Sequence, residues 1–312
     1  MFSAMDLLDE ILDTLALKGV MYFRTDFNSD WSVTVPDLEG AARFHLVVQG
    51  ECHVRFESGE TIVLGPGDLV LIPRGRSHIL SDKPVDAAPS LEQVLQDADY
   101  DNRGVLVVGE GNNDASTQMV CGHFSLRAGA EHPLLAALPD YMFLSGSARA
   151  KAPWLDEVLR LIAQRIFRDP FGSSASVTRL SEIAFIELIR AGLGNGSKLD
   201  RVLEAFRDPH IGRSLELIHA RPGESWTVER LARDVGMSRS RFAERFSDLL
   251  GIAPMAYLSN WRLQRALALL EDKRRSVQQV SSEIGYQSQA AFTRAFAGKF
   301  GLTPSEYRRA AA

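Results

Sequence analysis

The spacing of apolar residues along this chain changes twice, and each change marks a different kind of structure. Near the N-terminus Leu8, Ile11, Leu12 and Leu15 recur at helical spacing, predicting a short amphipathic helix. From about Val33 to Leu126 the rhythm shortens. "FHLVVQGECHVRF", "ETIVLGPGDLVLIPRG", "RGVLVVGEG" and "TQMVCGHFSL" are short apolar or alternating runs broken by Gly and Pro. They predict antiparallel strands joined by tight turns, folded as a sandwich or small barrel. The polar, acidic stretch Asp82–Asn102 breaks that rhythm and predicts a long loop.

After Pro139 the period lengthens again. "APWLDEVLRLIAQRIF" places Trp154, Leu155, Val158, Leu159 and Ile162 on one helical face. "SVTRLSEIAFIELIRAGL" does the same with Leu180, Ile183, Ile186 and Leu188, with Gly192 available to end it. Two striped helices joined by "RDPFGSSA" predict an antiparallel hairpin, and "GLGNGSKLD" a linker.

The remainder is helical and contains an internal repeat. Phe242 and Phe246 recur as Phe292 and Phe296, Gly251 as Gly301 and Pro254 as Pro304, each 50 residues on. Gly236 recurs as Gly285. Each copy reads as a short helix, a Gly-containing turn and a second helix with two Phe on its inner side, the helix-turn-helix pattern. The outer face of the second helix is what a DNA major groove admits. The first copy offers Arg239, Ser240, Arg241, Glu244 and Arg245 there, the second Ser288, Gln289, Ala290, Thr293 and Arg294. Gln can bond adenine, Arg guanine, and Ala or the Thr methyl can meet a thymine methyl. Lys273, Arg274 and Arg275 suit phosphate contacts. Between the copies "PMAYLSNWRLQRALALLED" predicts one long connecting helix.

Charge sharpens this division. The net charge of −5 conceals 19 Lys+Arg against 30 Asp+Glu in residues 1–209 and 16 against 10 in residues 210–312. A basic tail on an acidic front suits a polyanionic partner for the tail. An apolar content of 45% fits a globular protein, and no run approaches the ~20 residues of a membrane span. Two cysteines make no disulfide framework, and the acidic N-terminus is unlike a secretory leader, so a cytoplasmic location is expected.

Residues 210–309 resemble the DNA-binding domain of the AraC/XylS family, through "LARDVGMSRSRFAERF", "GIAPMAYLSNWRLQRALALL", "VSSEIGYQSQAAFTRAF" and "FGLTPSEYRR". The resemblance implies base contacts from Ser240, Ala243 and Glu244 in the first copy. In the second it implies contacts from Gln289, Ala290, Thr293 and Arg294. It gives Arg262 a structural role, bonding to backbone or a carboxylate. The front half resembles the cupin-type sensor domains that precede such tails. Gly67, Pro73, Gly75 and His78 in "GDLVLIPRGRSHIL" fit one cupin motif, and His45 and Gly50 a degenerate other. The implied fold is α+β: a cupin-like β-barrel (1–140), a helical hairpin (150–195) serving dimerisation, a linker (196–209) and an all-α domain with two helix-turn-helix motifs (210–312).

His45, His78, Cys121 and His123 are candidate ligands for zinc or another transition metal inside the barrel, since imidazole and thiolate suit such ions. The implied function is a cytoplasmic, sequence-specific transcription regulator, by family habit an activator. Its partners would be double-stranded promoter DNA, a small-molecule effector, RNA polymerase and a second copy of itself, with no membrane. The rival class is a cupin metalloenzyme with a helical appendage. Enzymatic cupins usually carry a His-X-His pair with Glu in the first motif, and here His45 is followed by Leu46 and Val47.

Overall fold

The computed structural model describes residues 4–28, 30–101, 105–109, 116–148, 152–168, 173–191 and 197–310. Gly192, expected to end the second hairpin helix, residues 169–172 of the joint before that helix and residues 193–196 of the expected linker lie outside them. The chain opens with α1 (Ala4–Thr14) and then forms β1 (Lys18–Phe27), β2 (Ser32–Val35), β3 (Ala41–Gln49) and β4 (Cys52–Phe56). Next come β5 (Thr61–Leu64), β6 (Leu69–Ile72), β7 (His78–Ser81), α2 (Leu91–Asp97), β8 (Val105–Val108) and β9 (Thr117–Ser125). α3 (Pro133–Ala137) and β10 (Met142–Leu144) precede the hairpin helices α4 (Pro153–Arg168) and α5 (Ser173–Ala191). The tail is α6 (Lys198–Arg207), α7 (Ile211–Ala220), α8 (Val228–Asp234), α9 (Arg239–Leu250) and α10 (Pro254–Glu271). It ends with α11 (Val277–Glu283), α12 (Gln289–Phe300) and α13 (Pro304–Ala310).

These elements form two compact units, neither continuous in sequence. One comprises Leu17–Leu126 and Pro139–Leu193; the other comprises Met1–Ala16, Arg127–Leu138 and Gly194–Ala312. The region expected as a single sensing domain at 1–140 therefore lends two of its segments to the helical unit.

The first unit holds a six-stranded sheet in the order β10-β6-β3-β9-β1-β8 and a four-stranded sheet in the order β2-β7-β4-β5. Neighbours are antiparallel except β1 and β8. Val47, Val70 and Met119 of one sheet and Val54, Leu64 and Leu80 of the other are buried in a common apolar slab. No ladder joins the two sheets among the described residues, so the expected barrel is instead an open sandwich. The reason lies at β2, whose outer edge is already occupied. The Thr34 amide donates to Pro89 O (2.7 Å), its hydroxyl donates to Ala88 O (2.9 Å), and a bridge reaches Ser90.

Four local expectations need correction. The stretch 196–209, expected as a linker, carries α6, started by a capping box of Ser197 and Asp200. The strand texture starts at Lys18 rather than Val33, because β1 pairs with β9 along its length. The Asp82–Asn102 stretch contains α2, capped by Ser90 accepting from the Gln93 amide (3.2 Å), with Val94 buried in the slab. Ser90 and Gln93 have the spacing of a helix-start signal, hidden in a polar composition. In the hairpin, Leu155, Val158, Leu159 and Ile162 are buried, but Trp154 is 78% exposed and Ile183 44%. The buried stripe of α5 is Val177, Ser181, Ala184, Phe185, Leu188 and Ile189. α5 meets the sheet as well as α4: Phe185 lies 4.8 Å from Phe124, and Glu182 accepts from the Gly19 amide (3.0 Å). That second contact turns the stripe away from the side the periodicity favours.

In the helical unit α1 buries Leu7, Leu8, Ile11, Leu12 and Leu15. Residues 127–138 are tied down beside it. Arg127 ion-pairs with Glu271 and donates to Thr14 O (3.3 Å), and the Gln264 amide donates to Gly129 O (3.0 Å). The long helix α10 runs between the two helix-turn-helix copies. Tyr257, Leu258 and Trp261 are buried towards its start, and Leu263, Ala266, Leu267 and Leu270 join the core of the second copy.

Candidate nucleic-acid interface

Each copy is built from the same local instructions. Thr227 caps α8 by accepting from the Arg230 amide (3.1 Å), and Ser276 with Gln279 forms a capping box on α11. The turns pass through Gly236 (φ 72) and Gly285 (φ 86), in the left-handed region that side chains avoid. Ser238 caps α9 and Ser288 caps α12, accepting from the Arg241 (3.4 Å) and Ala291 (3.2 Å) amides. Each second helix closes on a left-handed glycine, Gly251 or Gly301. Phe242 and Phe246 stand 5.7 Å apart by ring centroid, Phe292 and Phe296 5.5 Å, and all four are fully buried. With both Phe turned inward, the opposite face of each helix is left outward.

On that face of α12, Gln289, Ala290 and Arg294 are exposed and Thr293 is half-buried. Arg294 forms no ion pair among the described residues. Ser288 is exposed too, with its hydroxyl already accepting as the helix cap. The face of α9 differs. Ser240, Arg241 and Glu244 are exposed, but Arg239 pairs with Glu229 (2.6 Å) and Arg245 donates to Asp208 (2.6 Å). Burial alone would raise the Asp208 carboxyl. Amide donation from Ile211 and the Arg245 guanidinium, together with the His210 amide, more than reverse this and hold it below the usual range. Arg245 is thus a brace between α9 and the start of α7. Its partner Asp208 escaped sequence reasoning because the pair spans 37 residues.

Arg262 on α10 donates to Pro222 O (2.7 Å) and Glu224 O (2.8 Å), which is the structural role expected of it. Of the basic run before α11, Arg274 pairs with Asp272 (2.9 Å) and Arg275 with Glu283 and Asp272. The Arg274 contact holds the Asp272 carboxyl down at about 2. Lys273 is exposed and makes no ion pair among the described residues, which leaves it available to a phosphate.

The candidate metal ligands of the sandwich come together only in part. His45 Nε2 and His78 Nε2 are 2.8 Å apart, and His78 Nδ1 is 2.8 Å from Arg76 O. A carbonyl only accepts, so His78 Nδ1 carries a proton; neutral His78 then accepts at Nε2 from His45. That leaves His45 Nδ1 as a buried acceptor with no partner among the described residues. Two imidazoles on one tetrahedral ion would stand about 3.4 Å apart, with both lone pairs turned to the metal. Here one nitrogen donates to the other. Burial lowers both imidazoles, His78 to about 4 and His45 well below its ordinary range, so each is neutral at pH 7. Cys121 pairs in register with His45, and burial pushes its thiol up to about 12, so it is a neutral thiol in the metal-free protein. His123 lies across from Arg43. Among the described residues no three His, Cys, Asp or Glu side chains converge as a metal site requires, so the expected four-ligand set is not assembled. The cavity beside His45, Arg43 and Cys121 measures about 30 Å³, room for a water or two.

With this geometry in view, the chain was compared with known proteins. A cupin family profile matches residues 6–194, and a helix-turn-helix domain profile matches residues 231–310. The HTH-type transcriptional regulator AlkR of Acinetobacter baylyi is 30% identical over 98% of this chain and 99% of its own length. The chain belongs to the AraC-type transcription regulators. A second regulator of this kind, the RCS-specific HTH-type transcriptional activator RclR of Escherichia coli, is 28% identical over 97% of each chain. Among solved structures, the DNA-binding domain of AdpA in complex with a target DNA is 34% identical, covering 33% of this chain and 92% of that one (TM-score 0.32). AraC-type regulators bind DNA through the paired helix-turn-helix domain, and the full-length relatives named here are regulators rather than enzymes. No helix among the described residues is long and apolar enough to cross a membrane.

Proposed function

We propose that the chain is a cytoplasmic, sequence-specific transcription activator in which α12 is the principal base reader. The observation that carries this is the outer face of α12. Gln289, Ala290, Thr293 and Arg294 lie opposite two buried Phe, and among the described residues no carboxylate pairs with the guanidinium. Gln can donate to adenine N7 while accepting from its N6 amine, and Arg can donate twice to guanine. α9 contributes Ser240, Arg241 and Glu244, while Arg241 and Lys273 supply phosphate contacts that add affinity without sequence information. Its two neighbours, Arg239 and Arg245, serve the protein itself.

The sandwich acts as the sensor for a small-molecule effector. Its interior would have to open to admit one, since a cleft for such a ligand usually needs about 300–1,000 Å³. The exposed Trp154 of α4 and Ile183 of α5 support the hairpin as a contact with a second copy. RNA polymerase is the further partner of an activator.

Footprinting on the DNA upstream of the chain's own gene tests the central reading. Wild-type protein should protect a discrete site. Gln289→Ala with Arg294→Ala should erase protection while leaving weak general binding, a loss of about 2–5 kcal/mol in specificity. Unaltered protection by the double variant would remove α12 from its role.

A further inference from the structure

An open-sided cavity of about 690 Å³ lies wholly within the helical unit, far larger than the space inside the sandwich. Its walls come from three distant stretches: residues 130–137, the start of α6, and the turn from the end of α9 into α10. Leu135, Val202, Leu249 and Ile252 make it largely apolar, and Tyr257 and Trp261 form a braced side. The Tyr257 hydroxyl lies 2.9 Å from His132 Nε2 and 2.7 Å from His219 Nε2, and the Trp261 ring stacks on His219 at 3.7 Å. That bracing keeps the wall from folding into the space. The volume is that of a cleft for a drug-sized molecule.

The charges around it are unequal. Lys198 and Arg201, three apart on α6, both line the cavity, are exposed and form no ion pair among the described residues. Of the two lining acids, Glu131 is bound to Lys299, which leaves Asp248.

We infer that this cavity binds an amphiphilic organic anion, its apolar body against Leu135, Val202 and Trp261 and its acidic group towards Lys198 and Arg201. The ligand acts on the first helix-turn-helix. Leu249, Leu250 and Gly251 end the recognition helix α9, and Ile252 leads into α10. A molecule touching both sides of that turn biases the angle between the two helices as far as its affinity differs between two arrangements.

Anilinonaphthalene sulfonate, an aromatic body with one sulfonate, is the probe, titrated into the full-length protein and followed by fluorescence. One saturable site per chain is expected. Ala136→Trp, which fills the cavity from an exposed position, should remove it. Lys198→Glu with Arg201→Glu should weaken it on the order of tenfold, while uncharged phenylnaphthylamine should bind the wild type and the charge-reversed protein alike. An undiminished site in Ala136→Trp protein, or equal sulfonate affinity after charge reversal, would overturn the assignment. Circular dichroism of both variants confirms that a loss reflects the site and not the fold. Gel shifts on the upstream DNA, with and without probe, read the coupling. A change of about threefold or more supports it, and none removes it. Because the titration contains no DNA, a failure of specific DNA recognition would be seen separately.

Discussion

The two helix-turn-helix copies are the same scaffold with different surfaces. Side-chain caps, turn glycines, closing glycines and paired Phe recur in both, since each answers a local need of the backbone or of packing. The outer residues answer to whatever lies nearby. α9 sits beside Glu229 and Asp208, and two of its arginines turn to them. Among the described residues no acid is so placed beside α12, and Arg294 forms no ion pair. Arginine content alone therefore does not tell how many cations each copy leaves unpaired. A cation already held by a carboxylate must break that contact before it can serve a phosphate.

The likeness of the scaffolds can be broken by core truncation. Phe242→Ala and Phe292→Ala should each cost about 3–5 kcal/mol, measured by urea unfolding, because both rings are fully buried. A gap between them much wider than that range would mean the copies are not equivalent supports. The turn glycines should separate more. A Cβ at Gly236 meets nothing within 4 Å, whereas at Gly285 it would lie 2.6 Å from Gly223 O. Gly236→Ala should cost about 1 kcal/mol from backbone strain, and Gly285→Ala at least ~2 kcal/mol as the Gly223 backbone is pushed away. Equal melting shifts would refute the difference.

The arginines give the sharpest contrast. Arg245→Ala should destabilise the protein by about 1–3 kcal/mol, because Asp208 stays buried with its cation gone. Arg294→Ala should leave stability within about 0.5 kcal/mol but cost about 1–3 kcal/mol of specific DNA binding. If the two effects were exchanged, the roles assigned to the two helices would be exchanged with them. The smallest effect is at Arg239, whose pair with Glu229 is solvent-exposed: stability should move by less than about 0.5 kcal/mol. Arg241→Ala should lower the log–log salt slope of DNA binding by about one, and Arg239→Ala by clearly less.

How far the sequence was legible follows from the reach of each interaction. The repeat, its glycines and its Phe pairs could be read because helix spacing, a positive φ and an i, i+4 face are set within a few residues. Ser90 carried a readable start signal too, and the acidic stretch around it concealed α2. Ile183 could not be placed by period alone, since which apolar residues of α5 are covered depends on its meeting β1 as well as α4. The candidate metal set failed for the same kind of reason. His45 and His78 were rightly brought together, but only the fold shows them bonded to each other.

What the sequence by itself determined is the family, the α+β class, the paired helix-turn-helix and the faces it turns outward. These rest on periodicity and on residues whose chemistry acts close along the chain. The tertiary structure decided that the strands form an open sandwich, because the segment after β7 occupies the edge of β2. It also decided that α1 and residues 127–138 belong with the helical tail. And it decided which arginines are held by carboxylates, because an ion pair depends on which carboxylate folding brings within about 4 Å, whatever the distance along the chain.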